Sequence, residues 1–175
     1  MSSTGVFLEP VARRDAAVLG NLFELYLHDM SEAFPLELGA DGRFGYERLP
    51  EYFAAPGKRF PFWIRHGGAL AGFALAMRGS PATDDPAHLD VAEFFVLRRY
   101  RRTGVGREAA FALFDRLRGH WVVRVSTGNR RGSAFWPAVV AEYTGGAFAA
   151  RERAGNPHPQ RVFELESRPV AAPAR

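Results

Sequence analysis

The 175-residue sequence predicts an α/β (α+β) protein in which a mixed sheet carries helices on its faces. Two pairs of neighbouring strands are joined by turns that contain glycine, which predicts two hairpins. The pairs are 60–65 with 69–78, and 147–153 with 161–166. Between these pairs, residues 90–126 follow the pattern of a strand, a helix and a second strand, which predicts a crossover between parallel strands. Hairpins and a crossover together require a mixed sheet.

The elements before the first hairpin are a strand, a helix and a long loop. Residues 5–13 predict a first strand, which Pro10 restricts to an edge of the sheet. Apolar residues then recur every three or four positions, which predicts a helix over 15–30 with an aspartate as its N-cap. Residues 31–58 are rich in proline and glycine and predict an irregular connection, with a short helix at 46–54.

The middle of the chain alternates strands and helices. A strand at 90–97 is followed by an amphipathic helix at 104–118, a short strand at 121–126 and another helix at 132–143. These elements supply the crossover and lead to the last hairpin.

The composition limits the classes of protein that fit. Hydrophobic residues make up 47% of the chain, which suffices for one well-packed domain over 1–167, and we expect a flexible tail at 168–175. The absence of cysteine excludes disulfides and thiolate metal sites. No apolar run could span a bilayer and no signal peptide is recognisable, so we expect a cytoplasmic protein without a membrane partner.

The densest chemical signal lies between strand 90–97 and the next helix. Five arginines surround two glycines there: Arg98, Arg99, Arg101, Arg102 and Arg107 around Gly104 and Gly106. The first N–H groups of a helix favour negative charge, and glycines let a phosphate approach them. Arginines this close together would repel one another without an anion, so the pattern predicts a site for a phosphorylated ligand. Acids spread through the chain argue against nucleic acid, despite the net charge of +4.

Two nucleotide-binding motifs fit this turn poorly. Gly104-x-Gly106 approximates a dinucleotide fingerprint, but the next strand ends at residues 124–126 without the acid that would hold a ribose. A Walker A loop would need glycine, lysine and serine or threonine in succession, and that run is absent. A different phosphorylated ligand is therefore expected.

The residues around the turn resemble a known family. Residues 101–106 (Arg-Arg-Thr-Gly-Val-Gly) match the pattern Arg/Gln-x-x-Gly-x-Gly/Ala and follow a strand that ends Phe-Phe-Val. The chain is therefore similar to the GNAT superfamily of N-acetyltransferases, and residues 93–96 resemble its polyamine acetyltransferase branch. The resemblance implies a mostly antiparallel sheet of six to seven strands, flanked by about four helices, and acetyl-CoA as cosubstrate.

The resemblance also assigns the residues that would bind acetyl-CoA. The strand backbone would bind the pantetheine arm, the turn and helix start would bind the diphosphate, and the fourth helix would complete the site. In chain order these residues are Phe94, Phe95, Val96, Arg101, Arg102, Thr103, Gly104, Val105, Gly106, Arg107, Asn129 and Trp136.

Acyl transfer to an amine needs a group that accepts the amine proton, and two carboxylates are candidates. Asp90 lies on the central strand, and Glu93 would face the same side only if a β-bulge intervenes. An ion pair with a nearby arginine explains either carboxylate equally well. The tyrosine that usually serves the family as acid is replaced by Trp136, which leaves Tyr143 or water to protonate the thiolate. Tyr143 is equally explained as a core aromatic.

The expected reaction is transfer of an acetyl group to a primary amine of a small molecule or peptide by direct attack on the thioester. The loop from Asp29 to Tyr46 mixes acids and aromatics, which suits a cationic amine, and His158 lies in a hairpin that could border the acceptor.

Other functions and partners stay open. The first alternative is a non-catalytic acyl-CoA-binding or sensor module on the same fold, and the second is a nucleic-acid-binding domain. A homodimer through an edge strand is compatible with the sequence. The five histidines share no metal-ligand spacing, so no metal is expected.

Overall fold

The computed structural model of the protein describes residues 5–169. Its strands are β1 (Val6–Pro10), β2 (Arg59–His66), β3 (Ala69–Arg78), β4 (Leu89–Val96), β5 (His120–Ser126), β6 (Ala149–Arg153) and β7 (Gln160–Glu166). Its α-helices are α1 (Ala16–Met30), α2 (Glu51–Ala54), α3 (Val105–Arg116) and α4 (Arg130–Thr144). Within the described residues the order is β1-α1-α2-β2-β3-β4-α3-β5-α4-β6-β7, as the sequence predicts.

The seven strands of the described chain form one sheet in the order β1-β2-β3-β4-β5-β7-β6. β4 and β5 are parallel, and every other neighbouring pair is antiparallel. The crossover through α3 supplies the parallel pair, and the two predicted hairpins supply β2 with β3 and β6 with β7. The predicted α/β fold, with its mixed and mostly antiparallel sheet, is confirmed.

Several predicted elements are shorter in the structure, most of all the first strand and the helix predicted at 46–54. β1 ends at Pro10, which lacks an N–H group, and the strand lies at an edge where it pairs only with β2. A 3₁₀ turn at Arg13–Asp15 then leads into α1. The helix predicted at 46–54 is reduced to the single turn Glu51–Ala54, which Pro50 directly precedes.

The helices cover both faces of the sheet. On one face α1 and α2 pack over a core that includes the buried rings of Phe23, Trp63 and Phe73. On the other face α3 and α4 pack over a core that includes Phe114 and Trp121. The sheet is therefore the middle layer of three.

β4 contains the bulge on which the orientation of Glu93 depends. In the ladder with β3, Leu75 pairs with Glu93 and Ala76 pairs with Val91, so Ala92 is an extra residue. Ala92 packs with the core under α1, whereas Val91 packs with the core under α3. The bulge thus directs Ala92 and Glu93 to the face that α1 covers.

β4 and β5 part after a short parallel ladder. Their pairing ends at Val91 with Val123. β4 continues along β3 to Val96, and β5 continues along β7 to Ser126. The sheet therefore opens between the C-terminal halves of these strands, where the facing backbone groups lack strand partners.

The tail predicted at 168–175 lies only partly within the described residues. The N–H of Arg168 donates to the hydroxyl of Tyr143 at 3.0 Å, and Arg168 Nε donates to the Tyr143 carbonyl at 2.8 Å. Arg168 is therefore held against α4, whereas residues 170–175 lie outside the described range. None of the described helices has the length and apolar character that a membrane span needs.

Candidate active site

The turn between β4 and α3 has the backbone geometry that its glycines predict. Gly104 is the N-cap of α3 with φ of 92°, and Arg102 has φ of 63°. Glycine adopts this left-handed region without a steric penalty, whereas a residue with a Cβ pays one. Two left-handed residues in close succession turn the chain so that α3 begins at Val105.

The N–H groups of this turn are free of acceptors within the described chain. Glu108 is the first residue of α3 whose N–H has a backbone partner, and it donates to the Gly104 carbonyl at 3.0 Å. The N–H groups of residues 102–107 make no hydrogen bond to the described residues. Such a row of donors at a helix start forms a concavity that favours an anion. The Thr103 hydroxyl donates to the Tyr100 carbonyl at 2.8 Å and braces the turn.

A ring from α4 packs against this turn. A Cβ on Gly106 would lie 3.3 Å from Phe135 Cε2 and 3.7 Å from Val96 Cγ2. Phe135 also stacks with Phe94, with ring centroids 5.9 Å apart. Gly106 therefore permits the close approach of α3, β4 and α4. Phe135 was not among the residues predicted for the site, although it directly precedes Trp136.

Two protein carboxylates, Asp29 and Glu142, pair with three arginines of the cluster. Arg98 Nη2 and Arg101 Nη2 donate to Asp29, at 2.7 and 2.5 Å respectively. Arg107 Nη1 donates to Glu142 at 2.8 Å. Of the five arginines in the cluster, Arg99 and Arg102 have no carboxylate partner within residues 5–169. Asp29 and Glu142 therefore offset only part of the charge of the five arginines, and the site for an anion stays a prediction.

The two predicted cofactor residues of the α4 region, Asn129 and Trp136, lie in different environments. Asn129 caps α4 by accepting a hydrogen bond of 2.9 Å from the Gly132 N–H, and its Nδ2 lies 3.9 Å from Met30 Sδ. A thioether is a weak acceptor, so Nδ2 keeps donor capacity near the opening between β4 and β5. Trp136 is 7% exposed and packs in the core, with its ring centroid 5.1 Å from that of Phe94. Trp136 is therefore a core residue that supports the site by packing against the ring of Phe94.

Glu93 is held by two tyrosines. Tyr26 donates to its Oε2 at 2.6 Å, and Tyr46 donates to its Oε1 at 2.9 Å. Burial raises the pKa of Glu93, although the two hydroxyls and the charge of Arg124 act in the opposite direction. Burial and the neighbouring carboxylate also raise the pKa of Tyr26 and Tyr46, so both remain protonated donors. Neither tyrosine was predicted as a partner of Glu93.

Asp90, the other candidate base, is an ion-pair partner in the structure. Its side chain is fully buried, and it accepts hydrogen bonds of 2.8 Å from both Arg124 Nε and Arg124 Nη2. The Ser80 hydroxyl donates a third bond, at 2.5 Å. With both oxygens engaged and no exposure, Asp90 fits the ion-pair interpretation better than the role of a base.

The structure does not bring Tyr143 to the other site residues. Its hydroxyl donates to Asp115 Oδ1 at 2.7 Å. Asp115 lies near the end of α3, about 15 Å along the helix from Val105 at 1.5 Å per residue. Burial raises the pKa of Tyr143 to about 12. Tyr143 is therefore a core residue at the far end of α3, too remote to protonate a thiolate near the opening.

A cavity of about 620 Å³ lies where the end of α1 faces the start of α4. Its charged and polar lining includes Asp29, Glu32, Asn129, Arg130, Arg131 and His158. His158 Nε2 lies 3.0 Å from the Ala33 carbonyl oxygen, which joins the β6–β7 loop to the segment after α1. The lining carries both signs of charge, because arginines of α4 lie beside the acids of the segment that begins at Asp29.

The histidines do not assemble a metal site in the described part of the chain. No three of its histidine, aspartate or glutamate side chains are placed to hold a metal ion. His88 and His120 stack with ring centroids 4.1 Å apart, but they contact different carboxylates, Asp85 and Glu166. They lie at the start of β4 and β5, away from the cavity.

The comparison with protein families identifies the class of this chain. The sequence profile of the acetyltransferase (GNAT) family matches residues 20–137, which is more than half of the chain. The chain therefore belongs to the acetyltransferase (GNAT) family. None of the curated proteins is significantly similar to it in sequence.

Solved structures share the fold over nearly the whole chain. An acetyltransferase from Thermus thermophilus has a TM-score of 0.65 and 18% identity, covering 95% of this chain and 99% of that one. The aminoglycoside acetyltransferase AAC(6')-Ib in complex with coenzyme A has a TM-score of 0.67 and 15% identity, covering 93% and 95%. The spermidine N-acetyltransferase from Vibrio cholerae, in complex with CoA and spermine, has a TM-score of 0.63 and 12% identity, covering 94% and 97%. At these identities the similarity establishes the fold.

Proposed function

We propose that this protein transfers the acetyl group of acetyl-CoA to a primary amine, by direct attack of the amine on the thioester. Family membership supports acetyl transfer in general. The observation that carries the proposal further is the position of Glu93, a carboxylate of raised pKa at the bulge where β4 parts from β5. A carboxylate at this place can accept the proton that an ammonium group loses before it attacks.

The donor substrate would occupy the turn and the opening between β4 and β5. The free N–H groups of residues 102–107 suit its two phosphates. Its pantetheine arm is a peptide mimic, so the backbone of Phe94 and Val96 can bind it as a strand edge binds another strand. The Val96 carbonyl already accepts a hydrogen bond of 2.7 Å from Arg101 Nε, which directs the arm to the other backbone groups and to Asn129 Nδ2.

The reaction forms one C–N bond and breaks one C–S bond. Glu93 takes a proton from the acceptor ammonium, directly or through a water molecule, and the freed lone pair attacks the thioester carbon. The backbone N–H of Phe95 or Val96 stabilises the negative oxygen of the tetrahedral intermediate. The nitrogen of the intermediate then gives its surplus proton to water, and the intermediate expels the CoA thiolate, which takes a proton from water because Tyr143 lies at the far end of α3. The products are an amide and CoA.

The cavity between α1 and α4 is the proposed acceptor site. It adjoins the residues that follow β5, so it lies at the same end of the parted strands as the proposed thioester. Structures with the same fold hold kanamycin or spermine together with CoA, and both molecules carry several amines. We therefore propose a small-molecule or peptide amine as the acceptor.

A non-catalytic acyl-CoA-binding module is the second candidate. Trp136 stands in the core where the family pattern has a tyrosine, and Tyr143 is remote. Neither of these two positions therefore supplies a phenol that could protonate a leaving thiolate, which favours a protein that binds acetyl-CoA without turning it over.

One experiment separates these candidates. Acetyl-CoA binding is measured by calorimetry, and release of free CoA thiol is measured with spermine, kanamycin, a peptide with a free N-terminus and simple amino acids. Amine-dependent thiol release supports the enzyme. Tight acetyl-CoA binding without amine-dependent thiol release supports the non-catalytic binding module. Absence of acetyl-CoA binding overturns both candidate functions.

A further inference from the structure

Asp29, in the last turn of α1, connects that helix to the turn that precedes α3. Its side chain is 7% exposed. Oδ1 accepts a hydrogen bond of 2.7 Å from Arg98, and Oδ2 accepts one of 2.5 Å from Arg101. Arg131, at the start of α4, lies 3.8 Å from the same Oδ2. One carboxylate therefore links three segments that are far apart in the sequence.

Arg101 is fixed at three points. Besides its bond to Asp29, its Nε donates to the Val96 carbonyl at 2.7 Å, and its guanidinium lies 5.5 Å from the centre of the Phe95 ring. The side chain is only 25% exposed, so it is directed back towards β4 and α1. Arg101 directly precedes Arg102, whose left-handed φ of 63° begins the row of free N–H groups. The position of Arg101 thus constrains the conformation of that row.

The carboxyl group of Asp29 is ionised at neutral pH, because its pKa is lowered. Burial by itself would raise the pKa of Asp29, but hydrogen bonds from Arg98 and Arg101, together with their positive charges, outweigh it and lower that pKa. Both carboxylate oxygens are engaged by the arginines. Although Asp29 also lines the cavity, its acceptor capacity is largely used by the protein itself.

We propose that Asp29 is a positioning residue for the diphosphate of acetyl-CoA. It fixes Arg101, and through Arg101 it holds the turn at residues 102–107 with its N–H groups in one orientation before the ligand arrives. Preorganised donors bind an anion more tightly than donors that must be ordered on binding. The inference rests on the proposed function in one respect, namely that the anion is the diphosphate of CoA.

Electrostatics alone makes the opposite prediction. Asp29 is a negative charge beside a site for a polyanion, so its removal increases the positive potential that attracts CoA. If Asp29 acted only through its charge, Asp29→Asn would bind CoA more tightly. If it positions the turn, the same substitution weakens CoA binding. The sign of the change therefore decides between the two roles.

The test compares CoA binding by calorimetry in the full chain and three variants. We expect Asp29→Asn to raise the Kd for CoA about tenfold or more, since the amide nitrogen cannot accept, so one arginine loses its hydrogen bond and the other keeps a bond to a neutral oxygen. Asp29→Glu should recover part of this loss. Glu142→Gln removes the same charge near the same cluster, where Glu142 pairs with Arg107 and does not contact Arg101, so it should leave CoA binding unchanged or slightly tighter.

A second readout separates positioning from general damage to the fold. Binding of pantetheine, which lacks the diphosphate, should be the same in Asp29→Asn and in the unchanged protein. Equal losses for CoA and pantetheine, or CoA binding by Asp29→Asn that is unchanged or tighter, would overturn the inference. A chain that binds no CoA before substitution would instead overturn the proposed function.

Discussion

The hydroxyl of Tyr26, on α1, donates a hydrogen bond of 2.6 Å to Oε2 of Glu93, on β4. Tyr46, from the loop between α1 and α2, donates to the other carboxylate oxygen at 2.9 Å. These bonds orient Glu93 and stabilise its charged form, while burial disfavours that form. The balance between them sets the pH at which Glu93 can accept a proton.

Removal of the Tyr26 hydroxyl should shift the pH dependence of the reaction. Tyr26→Phe removes a donor from the charged carboxylate, so the pKa of Glu93 should rise further. The acidic limb of the kcat/KM profile then moves to higher pH, and kcat at neutral pH falls about tenfold. Tyr52→Phe is the control, because Tyr52 is buried in the same core but does not hydrogen-bond to Glu93. If the acidic limb of the profile does not move in Tyr26→Phe, the group that titrates in this limb is not Glu93.

The glycine turn could be predicted from the sequence because its determinants are local. Gly104 takes a φ of 92° that residues with a Cβ avoid, and the alternation of strand and helix around it is set by near neighbours in the chain. Local patterns of this kind also predicted both hairpins and the crossover through α3.

The partners of the two key carboxylates could not be predicted in the same way. Tyr26 and Tyr46 are 67 and 47 positions from Glu93, and they reach it because the bulge directs Glu93 towards α1. Asp29 reaches Arg101 across 72 positions. Such contacts depend on how α1 packs against the completed sheet, and no local pattern marks them.

The stability of Glu93→Gln should depend on pH in a defined direction. Because the folded-state pKa of Glu93 is raised, ionised Glu93 costs stability at neutral pH, and the cost disappears below its unfolded pKa near 4.5. Glu93→Gln should therefore unfold at a higher urea concentration than the unchanged protein at pH 7. The difference should shrink as the pH falls towards 4.5. A difference that stays constant or grows on acidification would contradict the raised pKa.

Asp90→Asn should damage stability rather than chemistry. The substitution breaks a bidentate pair between a fully buried carboxylate and Arg124, and leaves the guanidinium without its counter-charge. We expect a loss of about 3–5 kcal/mol in the free energy of unfolding, measured in urea. Asp85→Asn removes an exposed carboxylate from a pair with His88 and should cost at most about 1 kcal/mol. A stable Asp90→Asn protein with a hundredfold lower kcat would instead identify Asp90 as the base.

Gly104→Ala should weaken CoA binding beyond its effect on folding. A Cβ at φ of 92° costs about 1–2 kcal/mol, and relief of that strain rotates the N–H groups of the turn. Gly57→Ala introduces the same kind of strain at φ of 80°, where the added Cβ meets nothing within 4 Å and lies outside the proposed site. Both variants should lose similar stability by urea unfolding. Only Gly104→Ala should raise the Kd for CoA, and an equal Kd in the two variants would place the diphosphate elsewhere.

The most direct test of the account is the rate of amine-dependent CoA release by Glu93→Gln. Glutamine keeps the shape of the side chain but cannot accept the amine proton, so kcat should fall about 10²–10⁴-fold. The Kd for CoA, measured on the same preparation, should match that of the unchanged protein, because Glu93 is assigned to the acceptor proton alone. A variant that releases CoA within a few-fold of the original rate would contradict the assignment of Glu93 as the base.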